Sequence, residues 1–329
     1  MFFAEFKDIL LMAVTRNETI DIMKGIGITL VIIGHMSDFF YLHKFIFSFH
    51  MPLFFILAGY FFSPREGVKE GLVKDVRRLL IPYFFVILLL LIYSIFTHGV
   101  QHNFSQLLQS GILLMWIFPD GLFLQDSYQV PVIPVWFLLS LFWCKSLFRI
   151  IYKYIKEPYL FIVILIISSI GVFVNIKLPF AFMQGVIASF FYGVGFLMKG
   201  KRIEENKVVI LSVMIIWSVC LVWGGLDMAY GYYKLYILEL FGALGGTFFI
   251  YLISIRIKHV KRISNFLQWF GINSLIVLCV HSLEKYIPIW SVLRINNYFL
   301  LLVCKISLCS IAILLSYRLK ITKYIFKLK

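Results

Sequence analysis

The stretch Ile20–Asp38, IDIMKGIGITLVIIGHMSD, decides the fold. Its apolar run is long enough to cross a hydrocarbon core of about 30 Å as a helix, yet it carries Lys24 near one end and His35 near the other. A charged group at the bilayer centre costs roughly 2.5–3.5 kcal/mol on insertion scales, so an ionisable residue within a span is a functional candidate. The two residues are eleven positions apart. In an α-helix that spacing returns them to nearly the same face, separated by about 16 Å along the axis. Asp21, three residues before Lys24, is near enough to partner it. The plainer readings are a Lys24 side chain that reaches back to the interface and a His35 that is a hydrogen-bonded packing residue.

Similar apolar runs recur along the 329 residues, 61% of which are hydrophobic and 14% charged, with a mean hydropathy of +0.93. That composition excludes an ordinary soluble domain and predicts an all-α, polytopic membrane protein. Ten candidate spans fall at about 19–37, 43–62, 79–98, 130–148, 158–176, 181–198, 208–225, 235–254, 265–284 and 297–316. No internal repeat or low-complexity tract divides the chain, so residues 1–329 are expected to form one integral-membrane domain. The first sixteen residues carry no clear signal sequence and are expected to lie on the membrane surface as a short amphipathic segment. The connection after the third span has an apolar middle that suits an interfacial or re-entrant segment.

The net charge of +15 invites a nucleic-acid reading, but the distribution of cations argues against one. With the N-terminus inside, twenty-four of the 31 Lys and Arg fall on the inner side, in loops such as the one holding Arg65, Lys69, Lys74, Arg77 and Arg78. Five lie outside: Lys44, Lys177, Lys234, Lys285 and Arg294. Cytoplasmic loops near spans concentrate Lys and Arg, so both termini are expected in the cytoplasm and the charge reflects topology. Lys24 and Lys305 remain inside spans. The five cysteines all lie in apolar runs without metal-ligand spacing, which predicts buried, small hydrophobes and no metal site.

Three further clusters carry polar groups at membrane depth. In FSFHMPLFFILAGYFF, Phe47–Phe62, Pro52 lacks a backbone donor, and His50 is expected either to satisfy a freed backbone group or to face a cavity beside His35. KDVRRLLIPYF, Lys74–Phe84, is either an inner-interface anchor or a phosphate clamp of Lys74, Arg77 and Arg78. WFGINSLIVLCVHSLEKY, Trp269–Tyr286, places Asn273 at one end of a span and the possible hydrogen-bonded pair His281 and Glu284 at the other. Glu239 is another acid expected to face protein or water. No HExxH, GxSxG or nucleotide-binding glycine loop is present.

Taken in order, IDIMKGIGITLVIIGH, FIFSFHMPLFFILAGYFF, VRRLLIPYFF, IPVWFLLSLFW, FFYGVGFLMKG and FGINSLIVLCVH resemble the acyltransferase 3 family of multi-pass membrane acyltransferases over nearly the whole chain, in the style of the small sugar O-acetylases. The resemblance implies that His35 is essential for acyl transfer, that Lys24 supports it or helps hold the donor, and that Lys74, Arg77 and Arg78 contact acyl-CoA. Ala58 stands where such proteins often carry serine. The implied partners are acetyl-CoA as donor substrate, a free, polymeric or lipid-linked carbohydrate as acceptor, and membrane lipid. No tightly bound cofactor is implied. The implied location is the bacterial cytoplasmic membrane, with the product in the cell envelope. His35 would act as general base or as a transient acyl carrier. Lys24, Asn273 and His50 are candidate oxyanion donors, and Trp136 a candidate sugar-stacking residue, against its reading as an interfacial aromatic. The rival class is a polysaccharide or lipid-linked-sugar exporter, with Lys24, His35 and Glu239 lining its passage.

Overall fold

The computed structural model describes residues 17–36, 39–98, 117, 123–124, 128–129, 133–174, 176–200, 206–287, 289–295 and 297–328. The expected surface segment at residues 1–16 lies outside them, as does most of the long connection before residue 133. So do Lys7, Arg16, Lys201, Arg202 and Lys329 of the basic tally.

Helices overlap all ten expected stretches. Among the described residues, six helical segments are long and apolar enough to cross a membrane, or seven if one bent pair counts as a single span. Helix α1, Glu18–Gly34, starts where the Asn17 side chain accepts from the Ile20 amide. α2, Phe40–Phe47, and α3, His50–Tyr60, are one apolar run broken at Ser48 and Phe49. Pro52 sits in the first turn of α3, where a missing N–H costs no helix bond. α4, Val68–Asp75, runs through a π-helical turn, Val76–Leu80, into α5, Ile81–His98. Pro82 lies just beyond that turn, after Ile81. A proline cannot donate to the carbonyl four residues back and crowds it, and one wide turn accommodates both problems.

The remaining long helices are α6, Trp136–Tyr154; α7, Glu157–Val174; α8, Phe182–Leu197; α9, Lys207–Trp223; and α10, Ile237–Ile257. α11, Lys261–Ile272, and α12, Ser274–Tyr286, meet at a 74° bend. The short α13, Ile289–Val292, then leads to α14, Tyr298–Ser316, and α15, Lys320–Phe326. Two-residue strand pairs occur at Phe123–Leu124 with Tyr128–Gln129, and at Leu226–Asp227 with Tyr232–Tyr233.

Two helix crossings frame the centre. A Cβ on Gly25 of α1 would overlap the Leu267 carbonyl of α11, and one on Gly271 of α11 would overlap the Asp21 carbonyl of α1. Gly59 of α3 and Gly195 of α8 stand in the same reciprocal relation, against Tyr192 and Ile56. Small residues are what allow backbones so close in a membrane, where apolar surface alone does not drive helices together. Around these crossings Phe55, Tyr83, Phe148, Phe190, Phe191 and Tyr192 form a closed aromatic core. α7 instead exposes Ile162, Ile166, Ile170 and Phe173 along one face, a lipid-facing stripe.

Candidate active site

Two cavities lie along the same wall of α1. The first holds about 180 Å³ and is lined by His35, His43, His50, Trp136, Asp227, Tyr230 and Lys285 among its polar and aromatic groups. The second holds about 440 Å³ and is a groove of apolar side chains, with Lys24, Arg78 and Lys327 as its cations and Ser274 near the bend. Val31, Met51 and Leu278 line both, so three apolar side chains stand between them. The expected stripe of α1 therefore exists, but its two ends serve different cavities. Lys24 bonds Asp21 at 3.1 Å and lies over the Phe61 ring at 4.9 Å. With about 16 Å of helix rise between them, Lys24 does not reach an oxygen at His35.

In the first cavity, which we call the histidine chamber, Phe47 touches three imidazoles. It meets His35 edge-on at 5.7 Å, stacks on His43 at 3.7 Å and meets His50 at 4.6 Å. His50 Nδ1 lies 2.9 Å from the Ile46 carbonyl, which only accepts, so Nδ1 carries the proton. Both readings of His50 thus hold: it satisfies a carbonyl at the α2–α3 break and lines the chamber. In the neutral ring its Nε2 is then bare, which makes His50 a hydrogen-bond acceptor there and not an oxyanion donor. Trp136 is buried and forms part of the chamber wall, instead of lying at an interface.

His35 caps α1 at the point where the helix ends. Its Nδ1 is 3.2 Å from Lys285 Nζ, and its ring is 5.3 Å from that of His281. His281 Nδ1 donates to Glu284 at 2.6 Å, and both Glu284 oxygens accept from Lys305 at 2.6 Å, with the Trp290 indole N–H on the same carboxylate. The expected His281–Glu284 pair is present, and Lys305 is its counter-charge. His281 does not line the chamber; its Nε2 is buried with no partner among the described residues.

The remaining expected site residues fall elsewhere. Asn273 is at the α11–α12 bend, with its amide donating to the Trp269 carbonyl and its oxygen accepting from Tyr317. Those bonds satisfy the bend, and Asn273 lines neither cavity. Lys74 is paired with Glu66 at 2.5 Å and also lies outside the groove. The ammonium beside Glu66 holds that carboxyl below its usual range. Arg77 is exposed; Arg78, next to it, is the member of the trio that lines the groove. Glu239, invoked for an exporter, accepts from the Gly225 amide at 2.6 Å and lines neither cavity.

Lys285, Asp227 and Lys327 were not singled out by the sequence reading. Lys285 and Lys327 read as ordinary loop-end cations, and Asp227 lies between apolar runs with no motif. Asp227 sits in the hairpin after α9, where its Oδ1 accepts from the amides of Ala229 and Tyr230. Burial pushes its carboxyl up to about 6, against the downward pull of those amides. A fourth group escaped notice because its members are far apart in sequence. Asp75, fully buried, bonds Arg149 at 3.0 Å and also Lys145, and Arg149 reaches Glu66 at 3.3 Å. Lys145 and Arg149, counted among the inner-loop cations, are thus partners in a buried ionic cluster. Among the described residues no group of three or more His, Cys, Asp or Glu is placed to hold a metal ion.

Nodulation protein NolL of Mesorhizobium japonicum is 39% identical over a segment that covers 21% of this chain and 22% of that protein. The chain thus spans about a fifth of this curated relative. No solved structure matches. The family described as an acyltransferase domain matches residues 17–318, which include every described lining residue of the histidine chamber and all of the groove's except Ile325, Phe326 and Lys327, so the chain belongs to the acyltransferase 3 family.

Proposed function

We propose that this protein moves an acetyl group from cytoplasmic acetyl-CoA to a hydroxyl of a cell-envelope carbohydrate, crossing the bacterial cytoplasmic membrane ten times with both termini inside. The observation that carries this reading is the shared wall. A cation-edged apolar groove and a chamber of imidazoles meet at Val31, Met51 and Leu278. Anionic phosphates suit Arg78, Lys24 and Lys327, because guanidinium and ammonium groups form charge-assisted bonds to phosphate oxygens. The apolar groove suits the uncharged arm that carries the thioester. The groove end also gathers basic loop ends: Lys258 pairs with Glu18, and Lys199 donates to the Phe62 carbonyl. That asymmetry agrees with a cytoplasmic face.

On the far side, Trp136 offers an aromatic face, and the chamber's polar groups offer partners for sugar hydroxyls. His35 removes the hydroxyl proton as the oxygen attacks the thioester carbonyl carbon. The C–S bond then breaks, and the imidazolium returns that proton to the departing thiolate. The other route forms an N–acyl bond at His35 as the C–S bond breaks, and the sugar oxygen then takes the acyl group as the N–acyl bond breaks, its proton passing to the departed thiolate. Either route needs a bare imidazole nitrogen facing the chamber.

The deciding experiment uses purified protein in proteoliposomes with labelled acetyl-CoA and envelope glycan. Label should enter the glycan with the wild type and not with a folded His35→Ala variant, a loss of about a hundredfold or more. Transfer at the wild-type rate by that variant would remove His35 from the chemistry. Glycan crossing the bilayer unmodified would favour the exporter.

A further inference from the structure

The imidazoles of His35, His50 and His281 differ in what fixes their protons. In His50 and His281 the Nδ1 neighbour is the Ile46 carbonyl or the Glu284 carboxylate, each an acceptor that demands Nδ1–H and leaves Nε2 bare. The Nδ1 neighbour of His35 is an amine, Lys285 Nζ at 3.2 Å. An amine is the one partner of the three that either donates or accepts. As ammonium it has no lone pair, so Nδ1 must be the bare nitrogen and Nε2 carries the proton. As neutral amine it accepts from Nδ1–H, and Nε2 becomes bare.

We propose that Lys285 is the positioning residue of His35: its neutral amine accepts from Nδ1–H and so leaves Nε2 bare to take the acceptor proton or the acyl group in the chamber that both residues line. This rests on the acyl-transfer reading and adds a protonation gate to it. With Lys285 charged, His35 presents an N–H and transfer stops; loss of one proton from Lys285 restores it. The groups that bias the amine come from every neighbouring element. His35, His43 and His50 face it from α1, α2 and α3 across the chamber, and Asp227 and Tyr230 from the hairpin. His281 lies one turn back on α12, Glu284 is the preceding residue, and Lys305 on α14 is held by Glu284. Among the described residues no carboxylate lies within ion-pair distance of Lys285, although Asp227 shares its cavity.

The test contrasts Lys285→Arg with Lys285→Gln. Arginine keeps the charge and only donates, which fixes the wrong tautomer; glutamine loses the charge but offers an acceptor. Labelled acetyl transfer in proteoliposomes should fall about a hundredfold in Lys285→Arg and persist in Lys285→Gln. The Gln variant should also lack the wild-type rise in rate with pH that belongs to the lysine, and exceed the wild type at the acid end of its range. Rescue by Arg with loss in Gln would overturn the proposal, because it is what a purely electrostatic or structural lysine gives. The second readout does not depend on turnover. In protein carrying ¹⁵N-histidine, with the His35 signals assigned by their absence in His35→Gln, Nδ1 should be protonated in the wild type and in Lys285→Gln but bare in Lys285→Arg. A bare Nδ1 in the wild type at the pH of transfer would also overturn it. A protonated Nδ1 in a wild type that moves no label would leave this assignment standing and sink the acyl-transfer reading instead.

Discussion

Arg78 and Lys74 are four residues apart in one basic cluster, and the structure gives them unlike surroundings. Arg78 lines the apolar groove, whereas Lys74 is tied to Glu66 outside it. Arg78→Ala should therefore raise the KM for acetyl-CoA about tenfold, the effect of losing one charge-assisted phosphate contact of roughly 1.5 kcal/mol. Lys74→Ala should leave that KM unchanged and alter stability by less than about 1 kcal/mol, as exposed ion pairs do. Initial rates over a range of acetyl-CoA concentrations separate the two, and equal KM shifts would restore the cluster as a single clamp. At this scale the sequence was informative where spacing is local. The eleven-residue interval of Lys24 and His35 and the three-residue interval of His281 and Glu284 translate directly into helix geometry. It was silent on Lys285, whose partner is 250 positions away in the chain, and on Asp75, whose two cationic partners belong to α6.

The helices themselves were legible because an apolar run long enough to span has few other physical outcomes. Their interruptions were not. Pro82 alone does not fix where the helix widens at Val76–Leu80, and the bend at Asn273 is held in part by the hydroxyl of Tyr317, 44 positions away. The segment from Gly67 to Leu80 is fastened to α6 by the Asp75 cluster, so the placement of Arg78 depends on an acid it never touches. Asp75→Ala would leave the buried Arg149 guanidinium without its main counter-charge. The expected cost is about 3–5 kcal/mol, read as a lowered unfolding midpoint in detergent; an unchanged midpoint would mean the cluster does not fasten that segment.

The hairpin after α9 carries a pH signature of its own. Asp227 has a folded-state pKa of about 6, above the roughly 3.9 of an unfolded chain. Between those values the folded protein holds a proton that the unfolded chain has lost, so stability falls as pH rises from about 4 to about 6 and is level above that. Asp227→Asn keeps the acceptor oxygen for Ala229 and Tyr230 and has no proton to lose. Its unfolding midpoint should lack that downward slope; a slope identical to the wild type would assign it to other groups.

For the whole molecule, the central feature is a pair of cavities that touch without merging. Val31→Phe would thicken the wall between them while leaving the groove's cations in place. Acetyl-CoA binding should persist, and transfer should fall about a hundredfold, the usual result of small displacements between reacting groups. Equal loss of binding would show that the wall also shapes the groove.

That wall has a second consequence. Val31, Met51 and Leu278 offer no hydrogen-bonding side chain, so a continuous file of water from one cavity to the other would have nothing to hold it. On the proposed reading, an acyl group would be handed across such a barrier by a reaching thioester arm, without a conduit that ions could follow. Such a protein would decorate one surface of a membrane from a supply on the other while that membrane stays electrically sealed.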